Sequence, residues 1–364
     1  MERQPLGPSR SRGQFGEALT IDEVRLTVFG KSFAYFGGER TVSYQRLRDL
    51  RRRTSHLLKS LMRGRKIVRE RGEVRYMIDD QERGLLEKVG GFLADLSKIS
   101  GNFVLPQTDE ETVCLMADVS RAIRENKSIA LVTPVCPDWS RDSEGRYDFK
   151  SLSGGESFVA NKFFVNAPEF LEIFRKNGIS YRGIILFADW GLETEIDAKD
   201  TYGQKLSPDD IQMCFASTLA ATDQTLKHLQ DDERLGPLFA DYEVISMREF
   251  LAERLDEQQV MDKMRRFFTT DKQGLKLLDL LDRDSLKLNK QRLRVSDEEN
   301  RKLALQTSIE YATVGQALDD DSFLVVCESK TTSRCYNLPR ARDKKVPVFY
   351  VKGKEGLNSG VNIL

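Results

Sequence analysis

Five short apolar runs, separated by segments in which apolar residues recur at helical spacing, restrict this chain to a narrow set of architectures. IALV at 129–132, RGIILFA at 182–188, YEVIS at 242–246, SFLVVC at 322–327 and VPVFYV at 346–351 have the length and composition of buried strands. Helical spacing covers 81–101, 109–126, 155–177 with an interruption near Pro168, 208–230, 247–268 and 297–318. The 109–126 segment opens on Asp109, Glu110 and Glu111, acids that suit the positive end of a helix dipole. Short strands alternating with amphipathic helices predict an open α/β sheet, mostly parallel, with helices on both faces. A sheet of this kind binds ligands beyond the carboxyl ends of its strands.

At 364 residues the chain has room for one large domain or two average ones, since a domain takes about 100–200 residues. Forty per cent of its residues are hydrophobic and 31% charged, which excludes a disordered chain. No apolar stretch reaches the roughly 20 residues that cross a bilayer, and MERQPLGPSRSRGQFG lacks the apolar segment of a secretory signal, so a cytoplasmic protein without a membrane partner is expected. Residues 1–16 read as a flexible tail, 17–126 as a mainly helical, basic N-terminal region, and 127–364 as the α/β catalytic domain.

Metal and cofactor chemistry finds little support. The five cysteines (Cys114, Cys136, Cys214, Cys327, Cys335) form no CxxC pair, and the two histidines, His56 and His228, have no ligand partners at metal spacing. No metal site, cofactor or disulfide framework is expected.

With 57 basic and 57 acidic residues the net charge is zero, so any affinity for nucleic acid must come from local clustering. Such a cluster lies between Arg40 and Arg75, where thirteen basic residues meet three acidic ones. Tyr44, Leu47, Leu50, Leu57, Leu58 and Leu61 recur within it at helical intervals, which would place Arg46, Arg48, Arg51, Arg52, Arg53, Arg63, Arg65 and Lys66 on the outer face of an amphipathic helix. The face reads either as a solvated surface or as a phosphate-binding one that displaces counterions from a nucleic-acid backbone.

The strand ends carry the candidate chemistry. Beyond the first run come Cys136 and Ser140 as nucleophiles, Asp138 as a base and Trp139 as a wall for an apolar group, although the same residues also make an ordinary proline-rich turn. Asp189, Trp190, Glu193 and Glu195 follow the second run and suit a substrate amine. Glu328, Ser329 and Lys330 follow a later one, with Arg334 in the basic loop behind them. Gly154 and Gly155 open a helix whose free N–H groups suit a phosphate or a carboxylate, and Lys150 precedes them. No GxSxG elbow, GxGxxG or P-loop is present.

The succession IALVTPVCPDW, GGESFVANKFF, GIILFADWG, SPDDIQMCFASTL, ISMREFL, IEYATVGQAL and FLVVCESK resembles the isonitrile synthases of the pyoverdine and dityrosine biosynthesis family. It is also similar, more loosely, to the tRNA-dependent cyclodipeptide synthases. The resemblance spans about residues 127–352 and implies a Rossmann-like sheet. The chain departs from both groups after its first strand: CPDWSRDS stands where isonitrile synthases carry a lysine and an asparagine, and no glycine and asparagine surround Ser140 as they surround a cyclodipeptide synthase nucleophile.

Two enzymes follow from the resemblance. In a cyclodipeptide synthase, the reading that the basic 40–75 segment favours, Ser140 accepts an aminoacyl group from aminoacyl-tRNA with help from Asp138 or Tyr147, Cys136 being the alternative nucleophile. An isonitrile synthase instead joins a small amino acid to ribulose 5-phosphate, with Lys150, Lys330 and Arg334 on the phosphate. Tailoring enzymes downstream would be partners of either. A non-catalytic nucleic-acid-binding protein is the third reading.

Overall fold

The computed structural model describes residues 23–28, 31–36, 40–43, 68–70, 73–76, 80–99, 103–104, 109–135, 158–189, 207–292, 296–326, 333–340 and 345–351. Among the described residues, the N-terminal region contributes five strands ahead of a helix that starts at Asp80. β1 (Glu23–Val28) and β2 (Lys31–Phe36) pair as an antiparallel hairpin. β3 (Arg40–Ser43), β4 (Val68–Glu70) and β5 (Glu73–Tyr76) form an antiparallel sheet in the order β3-β5-β4. Both ends of the basic segment are therefore strand rather than helix. The helical run from Tyr44 to Leu61, with all its basic residues from Arg46 to Lys66, lies outside the described residues.

Helices α1 (Asp80–Lys98) and α2 (Asp109–Glu125) follow, separated by the short β6 (Phe103–Val104). The main sheet then develops as β7 (Ile129–Val135), α3 (Phe158–Lys176), β8 (Tyr181–Phe187), α4 (Pro208–Asp231), α5 (Gly236–Phe239) and β9 (Tyr242–Ser246). Helices α6 (Met247–Ala252), α7 (Glu257–Thr270), α8 (Lys272–Arg292) and α9 (Asp297–Ala317) lead to β10 (Ser322–Val326) and, past a single 3₁₀ turn at Cys335–Asn337, to β11 (Val348–Val351).

The strand order is β6-β11-β10-β7-β8-β9, with β6 antiparallel at one edge and the other five strands parallel. Numbered by chain order, those five read 3-2-1-4-5, a doubly wound sheet. All seven residues of β7 are buried, as a strand covered on both faces requires.

Alternate residues feed two separate cores. Ile129, Leu131, Val135, Ile185, Phe323 and Phe349 pack with α1 to α5, whereas Ala130, Val132, Ile184, Leu186, Leu324 and Val326 pack with α6 to α9. The first core is aromatic: Phe170 lies 5.1 Å, ring to ring, from each of Phe103, Phe174 and Phe349. In the second, Tyr336 stacks on Tyr311 at 4.9 Å and its carbonyl sits where a Cβ at Gly315 would stand. Glycine is required there because the turn approaches the helix backbone to contact.

Three departures from the sequence reading have local causes. α3 continues through Pro168, because Phe163, Phe164, Ala167, Phe170, Leu171 and Phe174 bury one face on both sides of it. The expected 247–268 helix is two helices: α6 ends at Ala252, and Asp256 caps α7 by accepting from the Gln259 amide. α8 had no counterpart in the reading, because Asp, Lys and Arg interrupt its apolar repeat. Among the described residues no helix is long and apolar enough to cross a membrane.

Candidate active site at the carboxyl ends of the sheet

The winding direction reverses between β7 and β10. The chain leaves β7 towards β8 and β9, then crosses back to place β10 on the other side of β7. A doubly wound sheet opens a crevice at such a point, and Pro134 contributes to the opening here. Along β7 the amide of Ile129 donates to the Ser180 carbonyl on the β8 side, and that of Ala130 to the Asp321 carbonyl on the β10 side. Even-numbered residues thus face β10, and at position 134 the missing proline N–H falls on that side. Pairing of β7 with β10 ends at Val132 opposite Leu324, while pairing with β8 runs on to Val135 opposite Phe187.

Several described groups border the crevice. Thr133 is fully buried, and its hydroxyl has no hydrogen-bond partner among the described residues. At the end of β8, Asp189 Oδ2 accepts from the Ser246 hydroxyl at 2.5 Å and Oδ1 from the Arg248 amide at 3.1 Å. Arg248 Nη2 donates to the Asp189 carbonyl at 3.3 Å. Ser246 in turn accepts from the Glu249 amide at 3.3 Å as the N-cap of α6. Asp189 thereby ties the ends of β8 and β9 to the first turn of α6, with its carboxylate at the positive end of that helix.

At the other end, Tyr350 lies opposite Val326, the last residue of β10, and its hydroxyl meets that of Ser333; both residues are buried. Arg334, the next residue, is exposed.

Two long helices overhang the strand ends. Phe215 of α4 packs edge-to-face on Phe187, the last residue of β8, so the turns of α4 before Phe215 rise past the sheet. α9 runs antiparallel to β10, and a five-residue strand of roughly 17 Å matches roughly eleven helical residues. On α9, Gln306 and Glu310 are joined by a 2.9 Å hydrogen bond.

Of the residues read from the sequence, two are described: Asp189, which joins the ends of β8 and β9, and Arg334, an exposed residue next to Ser333. Cys136, Asp138, Trp139, Ser140, Tyr147, Lys150, Gly154, Gly155, Trp190, Glu193, Glu195, Glu328, Ser329 and Lys330 lie outside the described residues. Cys136 follows Val135, the last residue of β7, directly. The structure adds Ser246, Ser333, Tyr350 and Thr133. A signal for Ser246 was present in SMRE, the serine-to-glutamate spacing of a capping box, but its partner Asp189 is 57 residues away. Cys114 and Cys335 are buried and in no disulfide among the described residues, and burial pushes Cys114 up to about 11, far from a thiolate at neutral pH. Among the described residues no three His, Cys, Asp or Glu side chains are grouped as a metal site.

No protein-family model matches the chain, and no curated protein matches it in sequence. Among solved structures, the PvcA protein from Pseudomonas aeruginosa aligns with 82% of this chain and 83% of its own, at 10% identity and a TM-score of 0.37. Similarity that low adds nothing to the architecture, which rests on the strand order itself. By that order the chain is an α/β protein of Rossmann-like build, with a crevice where β7 and β10 part.

Proposed function

We propose that this chain is a biosynthetic enzyme acting on an amino acid, with its active site in the crevice beyond β7 and β10, and that its chemistry is of the isonitrile synthase type. The observation carrying this reading is the winding reversal at β7 and β10: the CPDWS and CESK segments continue directly from those two strands. Amino acid and ribulose 5-phosphate are then the substrates. Lys150, Lys330 and Arg334 hold the phosphate dianion through charge-assisted bonds, the guanidinium through two parallel N–H groups. Asp189 is held on both oxygens by Ser246 and Arg248, and the remaining lone pairs suit a substrate ammonium. Glu193 and Glu195 add negative charge for the same group, and Trp139 and Trp190 supply apolar walls. The amine must lose a proton before it adds to the ketone carbon, a task for Asp138 or Tyr147.

The second reading, a cyclodipeptide synthase with Ser140 as nucleophile and aminoacyl-tRNA as substrate, draws on the excess of ten positive charges between Arg40 and Arg75. Strands β3, β4 and β5 take up only the two ends of that segment, and the stretch read as a basic helix lies between them, outside the described residues.

One experiment separates the two. The purified chain is incubated with amino acids and ribulose 5-phosphate, or with charged tRNAs, and the small molecules are read by mass spectrometry beside Asp189→Asn and Ser140→Ala samples. An isonitrile that survives Ser140→Ala and falls with Asp189→Asn supports the proposal. A cyclic dipeptide lost with Ser140→Ala replaces it with the second reading, and no product in either assay leaves a nucleic-acid-binding scaffold.

A further inference from the structure

At the amino ends of β7, β8 and β9, away from the crevice, the chain frames a cleft of about 380 Å³. That volume lies within the roughly 300–1,000 Å³ of small-molecule pockets. Arg175 and Gly178 line it from the end of α3, Pro237 and Leu238 from α5, and Asp241 from the turn before β9. Tyr181, the first residue of β8, is fixed within it. Its ring meets Phe174 edge-to-face at 5.5 Å, and its hydroxyl donates to the Leu238 carbonyl at 2.7 Å. Gly178 leaves room, since a Cβ there would meet nothing within 4 Å.

Two opposite charges in the cleft have unused bonding capacity. Glu172 accepts from Arg175 Nε at 2.8 Å and from Nη2 at 2.5 Å, which holds the guanidinium side-on. Nη1 and the second hydrogen of Nη2 then form a free edge of the geometry that takes a carboxylate. The Asp241 carboxylate has no hydrogen bond or ion pair among the described residues, and neither do the hydroxyls of Ser128 and Ser180, which also line the cleft. Burial, and after it the charges of Asp241 and Glu172, push the Tyr181 phenol up to about 12, while Arg175 opposes them. The charges of Arg175 and Asp241 therefore both reach the same side chain.

We propose that this cleft is a binding site for a small zwitterion of amino-acid size, with its carboxylate on the free edge of Arg175, its ammonium on Asp241 and its apolar part against Tyr181, Pro237 and Leu238. This inference does not rest on the proposed function. The seven residues of β7 span roughly 23 Å, so a ligand held here does not reach the crevice and is additional to any molecule bound there. An anion without an ammonium would be repelled by Glu172 and Asp241, and a cation without a carboxylate would leave the Arg175 edge unused. A zwitterion answers both. Arg175 and Asp241 are exposed, so each contact contributes little and a Kd of about 1 mM is expected.

The test is titration of the full chain at pH 7 with L-phenylalanine, and with phenethylamine and 3-phenylpropionate, which each lack one of its charges. Amide shifts of Gly178–Tyr181 and Asp241 in nitrogen-15 spectra are read. L-Phenylalanine should shift these amides with a Kd at least threefold below that of either analogue. Asp241→Asn should weaken L-phenylalanine to the level of 3-phenylpropionate, and Arg175→Met to that of phenethylamine; both positions are exposed, and thermal denaturation checks that each variant folds. Unshifted amides, equal affinity for the three compounds, or affinity unchanged in both variants overturns the proposal. Asp189→Asn separates the two sites: L-phenylalanine binding that is lost with Asp189→Asn and kept with Asp241→Asn belongs to the crevice, which overturns this inference and leaves the proposed function standing.

Discussion

Asp189 and Ser246, 57 residues apart in sequence, meet at 2.5 Å where β8 and β9 end, and the same carboxylate reaches the Arg248 amide in the first turn of α6. A single aspartate therefore sets the spacing of two strand ends and the start of a helix beside the candidate site.

Ser246→Ala removes both the α6 cap and a donor to Asp189. The expected loss is about 2–5 kcal/mol, the sum of a cap and a hydrogen bond to a charged group. Urea denaturation followed by circular dichroism reads it as a lower midpoint at unchanged slope.

Phe170→Ala opens the centre of the aromatic core, where one ring contacts Phe103, Phe174 and Phe349. A loss of about 3–5 kcal/mol is expected from transfer and cavity costs together. A loss below about 1 kcal/mol in the same assay would mean that this cluster is not packed as described.

Gly315→Ala places a methyl group against the Tyr336 carbonyl. Although alanine is the better helix former, overpacking dominates and stability falls by about 1–3 kcal/mol. The melting temperature should drop, whereas an exposed glycine-to-alanine change in a helix would raise it.

Asp95 ties α1 to α3. Hydrogen bonds from Lys98, with help from Asn177 and Lys176, hold its carboxyl at about 2 against an ordinary 3.8, burial opposing. A depressed carboxylate stabilises the fold above its unfolded pKa and stops doing so as pH falls through the folded value. The stability difference between the native chain and Asp95→Asn should be constant above about pH 4 and shrink towards pH 2. Denaturation at pH 6, 4 and 2 checks the sign.

Arg334→Ala tests the phosphate assignment. Losing a charge-assisted contact worth about 1.5–3 kcal/mol should raise the KM for the sugar phosphate by roughly ten- to a hundredfold. The KM for the amino acid should stay unchanged.

The parts of this architecture that the sequence displayed are those set by local apolar pattern. YEVIS at 242–246 is β9, and SFLVV, VFYV and YRGIILF fall within a residue or two of their expected strands. The first run appeared to stop at Pro134, yet β7 continues to Val135, because the residue without a donor faces the side where β10 has already parted. The strands β1 to β5 were missed because short, charged segments such as VRE and EVRY carry no period that separates them from loops. Ser246 with Asp189 and Tyr350 with Ser333 escaped for a different reason: each depends on a partner supplied by the folded topology.

Pro134 gives the crevice a covalent guarantee. A seam between parallel strands closes one amide at a time, and a residue with no amide hydrogen is a step at which closing halts. Any replacement that restores the hydrogen offers β10 a further rung on β7 and narrows the opening. The breadth of the opening between β7 and β10 therefore depends on one absent proton as much as on the side chains around it.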